Sequence, residues 1–150
     1  MIIPATLSDA KSLTDIALKS KSFWGYSNEQ LESWTDELTV SENMIEEMLV
    51  FKFLEVDEVA GFYILNQPKN QTIELEFLFV LPKFIGLGIG KKLVQHSCDT
   101  ALELACKSIN LLADLNAESF YKSQGFKTIS QKESTVFNRF LPVMEKDLVR

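Results

Sequence analysis

The sequence predicts an α/β domain in which helices flank a central mixed β-sheet. Three observations carry that reading. Apolar runs of strand length crowd the middle of the chain, helical periodicity recurs on either side of them, and one apolar strand passes through a glycine-rich turn into a long helix. At 150 residues the chain fits one domain, residues 1–150, large enough to bury a core without disulfide staples.

Met1–Ala5, apolar and punctuated by Pro4, reads as a short strand. Ser8 is placed to cap a helix over Asp9–Ser20, where Leu13, Ile16 and Ala17 recur on one face. Phe23-Trp24-Gly25-Tyr26 breaks that helix as an aromatic loop. Ser27 is placed to cap a second helix through Leu31 and Trp34 to Leu38, and acidic Ser41–Met48 reads as a helix or turn. Val50–Val56 and Val59–Leu65 flank Asp57-Glu58 as a hairpin, and Gln67-Pro68-Lys69-Asn70 makes a second turn.

Thr72–Leu81 is the next strand; its second half is apolar on both faces, as in a central buried strand, and Pro82 ends it. The helix Gly88–Ala105 turns Ile89, Leu93, Val94, Ala101, Leu102 and Ala105 toward a core. Ile109–Ala113 is a strand. Asn116 is placed to cap a short helix, Ala117–Gln124, closed by Gly125. Phe126–Gln131 and Phe137–Leu148 complete the sheet.

Composition excludes several classes. Hydrophobic residues make up 46%, too many for a disordered chain. The net charge is −6 with no basic stripe, which speaks against nucleic-acid binding. No apolar run approaches the roughly 20 residues that span a bilayer, and no basic and apolar leader opens the chain, so the expected compartment is the cytoplasm. Cys98 and Cys106 form no CxxC and read as reduced core thiols. His96 is the only histidine and has no companions for a metal site, so no metal is expected; it reads as a surface or satisfied helix residue.

The segment Ile85-Gly86-Leu87-Gly88-Ile89-Gly90-Lys91-Lys92 joins strand to helix, an arrangement suited to phosphate. Glycines admit an anion close to the backbone, the first helical N–H groups lack internal partners, and the helix dipole and lysines add positive potential. A Walker loop fails because Ile85 stands at its first glycine and Lys92 at its Ser/Thr. A Rossmann loop fails because the third glycine is Gly90, one position early. By itself the loop is compatible with a phosphate site or with a ligand-free connection.

Together with the strand before it, this loop resembles the acetyl-CoA site of the GNAT superfamily. Glu74-Leu75-Glu76-Phe77-Leu78-Phe79-Val80, then Leu81-Pro82, then Ile85–Gly90 follow the family pattern E-L-x-x-L-x-V, proline, [QR]-x-x-G-x-[GA], except that Ile85 replaces Gln or Arg. Downstream, Asn116-Ala117-Glu118-Ser119-Phe120-Tyr121-Lys122-Ser123-Gln124-Gly125-Phe126 resembles N-x-x-A-x-x-[FL]-Y-x-x-x-G-F, with the small residue shifted. The resemblance implies a GNAT fold whose mixed sheet splays to admit the cosubstrate, and direct transfer of acetyl from acetyl-CoA to a primary amine of a small molecule or protein.

It also implies site residues. Cofactor contacts fall on Phe79, Val80, Ile85, Gly86, Leu87, Gly88, Ile89, Gly90 and Lys91, with Asn116 beside the pantetheine arm. Tyr121 is the expected acid for the departing thiolate, against the plainer reading of a core aromatic. Glu74 and Glu76 share a strand face and are the base candidates, against an ordinary solvent-facing alternation. Trp24 and Tyr26 are candidate walls for the amine, while Trp34 and Glu32 read as packing and solvated surface. A non-catalytic acyl-CoA-binding module and a nucleotide-binding domain of another fold are the rival readings, and a homodimer is left open.

Overall fold

A computed structural model describes residues 1–133 and 140–148. Seven strands form one sheet in the order β1-β2-β3-β4-β5-β7-β6. They are β1 (Ile2–Pro4), β2 (Leu49–Glu55), β3 (Glu58–Leu65), β4 (Thr72–Val80), β5 (Ser108–Leu112), β6 (Lys127–Glu133) and β7 (Phe140–Asp147). Six α-helices accompany them: α1 (Ala10–Ser22), α2 (Asn28–Ser33), α3 (Thr35–Leu38), α4 (Glu42–Glu47), α5 (Ile89–Glu103) and α6 (Glu118–Ser123). The sheet is mixed as expected: β4 and β5 run parallel and every other pair is antiparallel.

Side-chain alternation on β3 sorts the interior into two clusters. Tyr63 and Leu65 face α5 with Leu93, Val94 and Ala101, while Phe62 and Ile64 face α1 with Leu13, Ile16 and Ala17. A strand apolar on both sides is what a central position demands. Both cysteines are buried free thiols, and His96 is satisfied through its Nδ1, 2.7 Å from the Tyr63 hydroxyl.

Several boundaries differ from expectation for local reasons. The first helix is introduced by a 3-10 turn, Leu7–Asp9, in which Thr6 donates its N–H to Asp9 Oδ2 (2.8 Å), so Thr6 and Asp9 rather than Ser8 set its start. Ser27 does cap α2, accepting from the Gln30 N–H at 3.1 Å, but the helix stops at Ser33 and restarts at Thr35. Trp34, buried at the break, packs edge-on against Tyr26. The first hairpin turns on Val56-Asp57 instead of Asp57-Glu58, and Val56 adopts a φ of 58°. α5 ends at Glu103 rather than Ala105, whose φ is 62°, and Leu102 and Ala105 lie exposed, outside the core assigned to them. Asp114, not Asn116, caps the turn after β5: its side chain accepts from the Asn116 N–H, and α6 begins only at Glu118. The last strand is described over Phe140–Asp147, and the expected start at Phe137 lies outside the described residues.

Candidate active site

The cleft originates in strand pairing. β4 pairs with β5 only over Thr72–Glu74, opposite Ser108–Asn110, and from Leu75 onward it keeps β3 alone. Leu81 donates its N–H to the Ala60 carbonyl (2.8 Å), and pairs alternate along an antiparallel ladder. The Phe79 N–H therefore turns toward Phe62 on β3, while those of Leu78 and Val80 face the gap. Among the described residues these two N–H groups have no strand partner, and they line the wedge between the splayed strands.

At the gap's near end a β-bulge interrupts β4. Phe77 pairs with Ile64 and Leu75 with Leu65, so Glu76 is the additional residue. Alternation puts Glu74 and Glu76 on one side, where they interact directly, and the bulge turns Phe77 to that side as well. Burial first, then the Glu76 charge and hydrogen bond, push the Glu74 carboxyl above its usual range, with Lys132 opposing. Asn66 donates its Nδ2 to Glu76 Oε1 (3.1 Å), which orients the partner carboxylate. The Glu74 carboxyl is thus moved upward, the direction in which a carboxylate becomes a better general base.

At the far end lies the glycine turn. Gly86 and Gly88 adopt φ of 91° and 80°, and a Cβ at either would meet nothing within 4 Å. Lys92 is the first helical residue after the turn to donate back, to the Gly88 carbonyl (3.1 Å). The N–H groups that open α5 are thus available beside open space, with Lys91 exposed on the first turn. These residues fit a pyrophosphate. Gly90 has another reason to be small: a Cβ there would stand 3.3 Å from Phe120 Cζ, so α5 and α6 approach closely at this point.

α6 brings Tyr121 into the same region. Its ring packs edge-on against Phe120 (5.2 Å) and Phe126 (5.5 Å) and is 8% exposed. Among the described residues its hydroxyl has no hydrogen-bond partner, and none of their side-chain N or O atoms is both unpartnered and sealed from solvent. The hydroxyl is therefore not sealed from solvent. Burial pushes the phenol well above its usual value, so it stays protonated and acts as a donor.

Asn116 lies exposed on the turn before α6, and its Nδ2 donates to Asp114 Oδ1 (3.0 Å) and to the Tyr26 hydroxyl (3.0 Å). Tyr26 in turn donates to Asp114, whereas Trp24 stays about half exposed against Phe23. Three participants were not singled out from sequence. Asp114 carries a readable signal, an Asx residue two positions before Asn116 at a strand end. Lys21, ion-paired with Asp114, sits on a helix face with nothing to distinguish it, and Asn66 is placed by the β3–β4 pairing, its N–H on the Glu74 carbonyl (2.9 Å) and its Nδ2 on Glu76. A shallow groove between α1 and α2, lined by Leu18, Leu31 and Glu32 among others, contains none of the cleft residues. Among the described residues no group of three or more His, Cys, Asp or Glu is arranged to hold a metal, and no helix is long and apolar enough to cross a membrane.

The family model for the Acetyltransferase (GNAT) family matches residues 11–126. Among curated proteins, the chain is 32% identical over 75 residues to thialysine N-ε-acetyltransferase of Bos taurus, covering 48% of this chain and 44% of that protein. It is 28% identical over 82 residues to that of Mus musculus, covering 53% and 48%. The chain thus spans about half the length of the curated relatives it matches. Among solved structures, the PaiA N-acetyltransferase of Thermoplasma acidophilum in complex with coenzyme A superposes with a TM-score of 0.82 at 23% identity over 98% of both chains.

Proposed function

The chain belongs to the GNAT acetyltransferase family, and from that membership we propose that it transfers an acetyl group from acetyl-CoA to a primary amine. The observation that carries the reading is the parting of β4 from β5 after Glu74. It leaves backbone donors aimed into a wedge bounded by the glycine turn and Tyr121. The turn from Ile85 to Lys91 holds the pyrophosphate through its N–H groups. The Val80 N–H, together with that of Leu78, polarises the thioester carbonyl, the place where an oxyanion develops.

Glu74, backed by Glu76, takes the proton from the acceptor ammonium, directly or through water. The amine nitrogen forms the new C–N bond as the C–S bond breaks, and Tyr121 donates a hydrogen bond or proton to the departing sulfur. Trp24 and Tyr26 line the acceptor side. The names of the curated relatives favour an acceptor of the same kind, the terminal amine of an amino-acid side chain. Two buried free thiols suit a reducing compartment, the cytoplasm.

The test is thiol release from acetyl-CoA with a panel of amines, the product identified by mass. An N-acetylated amine is expected. Tight CoA binding with no transfer to any primary amine would mark a binding module and sink the proposal.

A further inference from the structure

We propose that Lys21 and Asp114 form a latch that fixes the acceptor wall of the cleft, which makes both of them positioning residues for the transfer reaction. The inference rests on the acetyltransferase reading above and names residues that neither family motif contains.

Asp114 stands just past β5, at the end where β4 has moved away. Its carboxylate gathers donors from three places. Lys21 Nζ reaches it from α1, across 93 residues of sequence, as a part-buried ion pair. The Tyr26 hydroxyl reaches it from the aromatic loop at 2.9 and 3.0 Å. Asn116 donates both its backbone N–H (2.9 Å) and its Nδ2 (3.0 Å) to Oδ1. Those four donors fill the acceptor capacity of a carboxylate.

The Lys21 ammonium lies 5.6 Å from the Tyr26 ring centre and 5.1 Å from that of Trp34, so it also ties the loop to the break between α2 and α3. No strand ladder holds Phe23–Tyr26, and this cluster joins that loop to the turn before α6. Because Asn116 spends both N–H groups inward, on Asp114 and Tyr26, its carbonyl oxygen is the part left to meet a ligand.

A latch of this kind sets where the amine sits without touching the reacting atoms. Its removal should therefore raise the acceptor KM more than it lowers kcat. The experiment is steady-state kinetics with an amine that the wild type acetylates, alongside CoA calorimetry. Asp114→Asn and Lys21→Met are each expected to raise the acceptor KM about tenfold, with kcat and the CoA Kd within about threefold. Lys21→Arg keeps the ion pair and should stay within about twofold of wild type. The double variant should be no worse than either single one, the signature of two groups acting as a pair.

Tyr26→Phe removes one hydroxyl and keeps the ring, so it decides the matter should the charge variants fail to fold; a rise of about threefold in acceptor KM is expected. An unchanged acceptor KM, additive losses, or a fall confined to kcat would overturn the latch while leaving the acetyltransferase reading in place. No turnover by the wild type would overturn both.

Discussion

Tyr121 has two roles open to it, a wedge in the core or a donor to the leaving group, and its ring and hydroxyl divide them. The ring is enclosed by Phe120 and Phe126, so Tyr121→Phe should leave the melting temperature nearly unchanged. The hydroxyl has no protein partner among the described residues, so the same substitution should lower kcat by about 10²–10⁴ with acetyl-CoA affinity retained, as befits an interaction made mainly in the transition state. Full turnover by Tyr121→Phe would make it a core aromatic only. Glu74 allows a test with two independent readouts. Its folded carboxyl lies above the 4.5 of the free side chain because burial and Glu76 disfavour the charge. Below 4.5 both states are protonated and no penalty applies; as pH rises past that value and through the raised folded one, the native state loses stability relative to the unfolded. Glu74→Gln should therefore raise the melting temperature at neutral pH, with the gain vanishing toward pH 4. As the base is removed, the rate should fall most near neutral pH and recover at high pH, where free amine is plentiful. Glu76→Gln is the control on the same face. A uniform rate loss across pH would remove Glu74 from the chemistry.

The strand-to-helix connection was the most legible part of the sequence, because its glycines, its proline and its helix N-terminus are all local signals. Gly88 is the sharpest test of it. Its φ of 80° is one that side chains resist, and the space beyond its Cα is open, so Gly88→Val strains the turn and fills the proposed phosphate path. CoA affinity should fall at least about tenfold, roughly 1.4 kcal/mol, in calorimetry on a variant whose circular dichroism is unchanged. Equal affinity would place the phosphates elsewhere. What stayed hidden was set by partners distant in sequence. The bulge at Glu76 depends on the register of β3, which no spacing within Thr72–Val80 reveals. The break at Trp34 follows from its burial against Tyr26, since the run Asn28–Leu38 contains no glycine or proline to announce it. Asn116 was legible as a motif residue but not as a side chain turned toward Tyr26 and Asp114.

The two sides of the sheet divide the work. The α5 side seats the glycine turn and α6, and the α1 side carries the aromatic loop and with it the proposed acceptor wall, with β3 and β4 between them. Leu93 and Leu13 are each fully buried, one per side, and truncating either to Ala should cost about 2–5 kcal/mol. Their effects on cofactor binding should nevertheless differ. A ligand that binds only the native state stabilises it by about 2.7 kcal/mol at a hundredfold excess over Kd, which for a chain of this size raises the melting temperature by roughly 5–10 °C. Leu13→Ala leaves α5 in its seat, so at one fixed CoA concentration it should show the same shift as wild type from a lower starting point. Leu93→Ala reseats the helix whose first turn is proposed to cradle the phosphates, so its affinity should drop and its shift at that concentration shrink. Thermal melts of the three proteins with and without CoA decide the point. Equal shifts in all three would mean that the glycine turn holds its geometry independently of α5 packing, and that phosphate binding is a property of the loop alone.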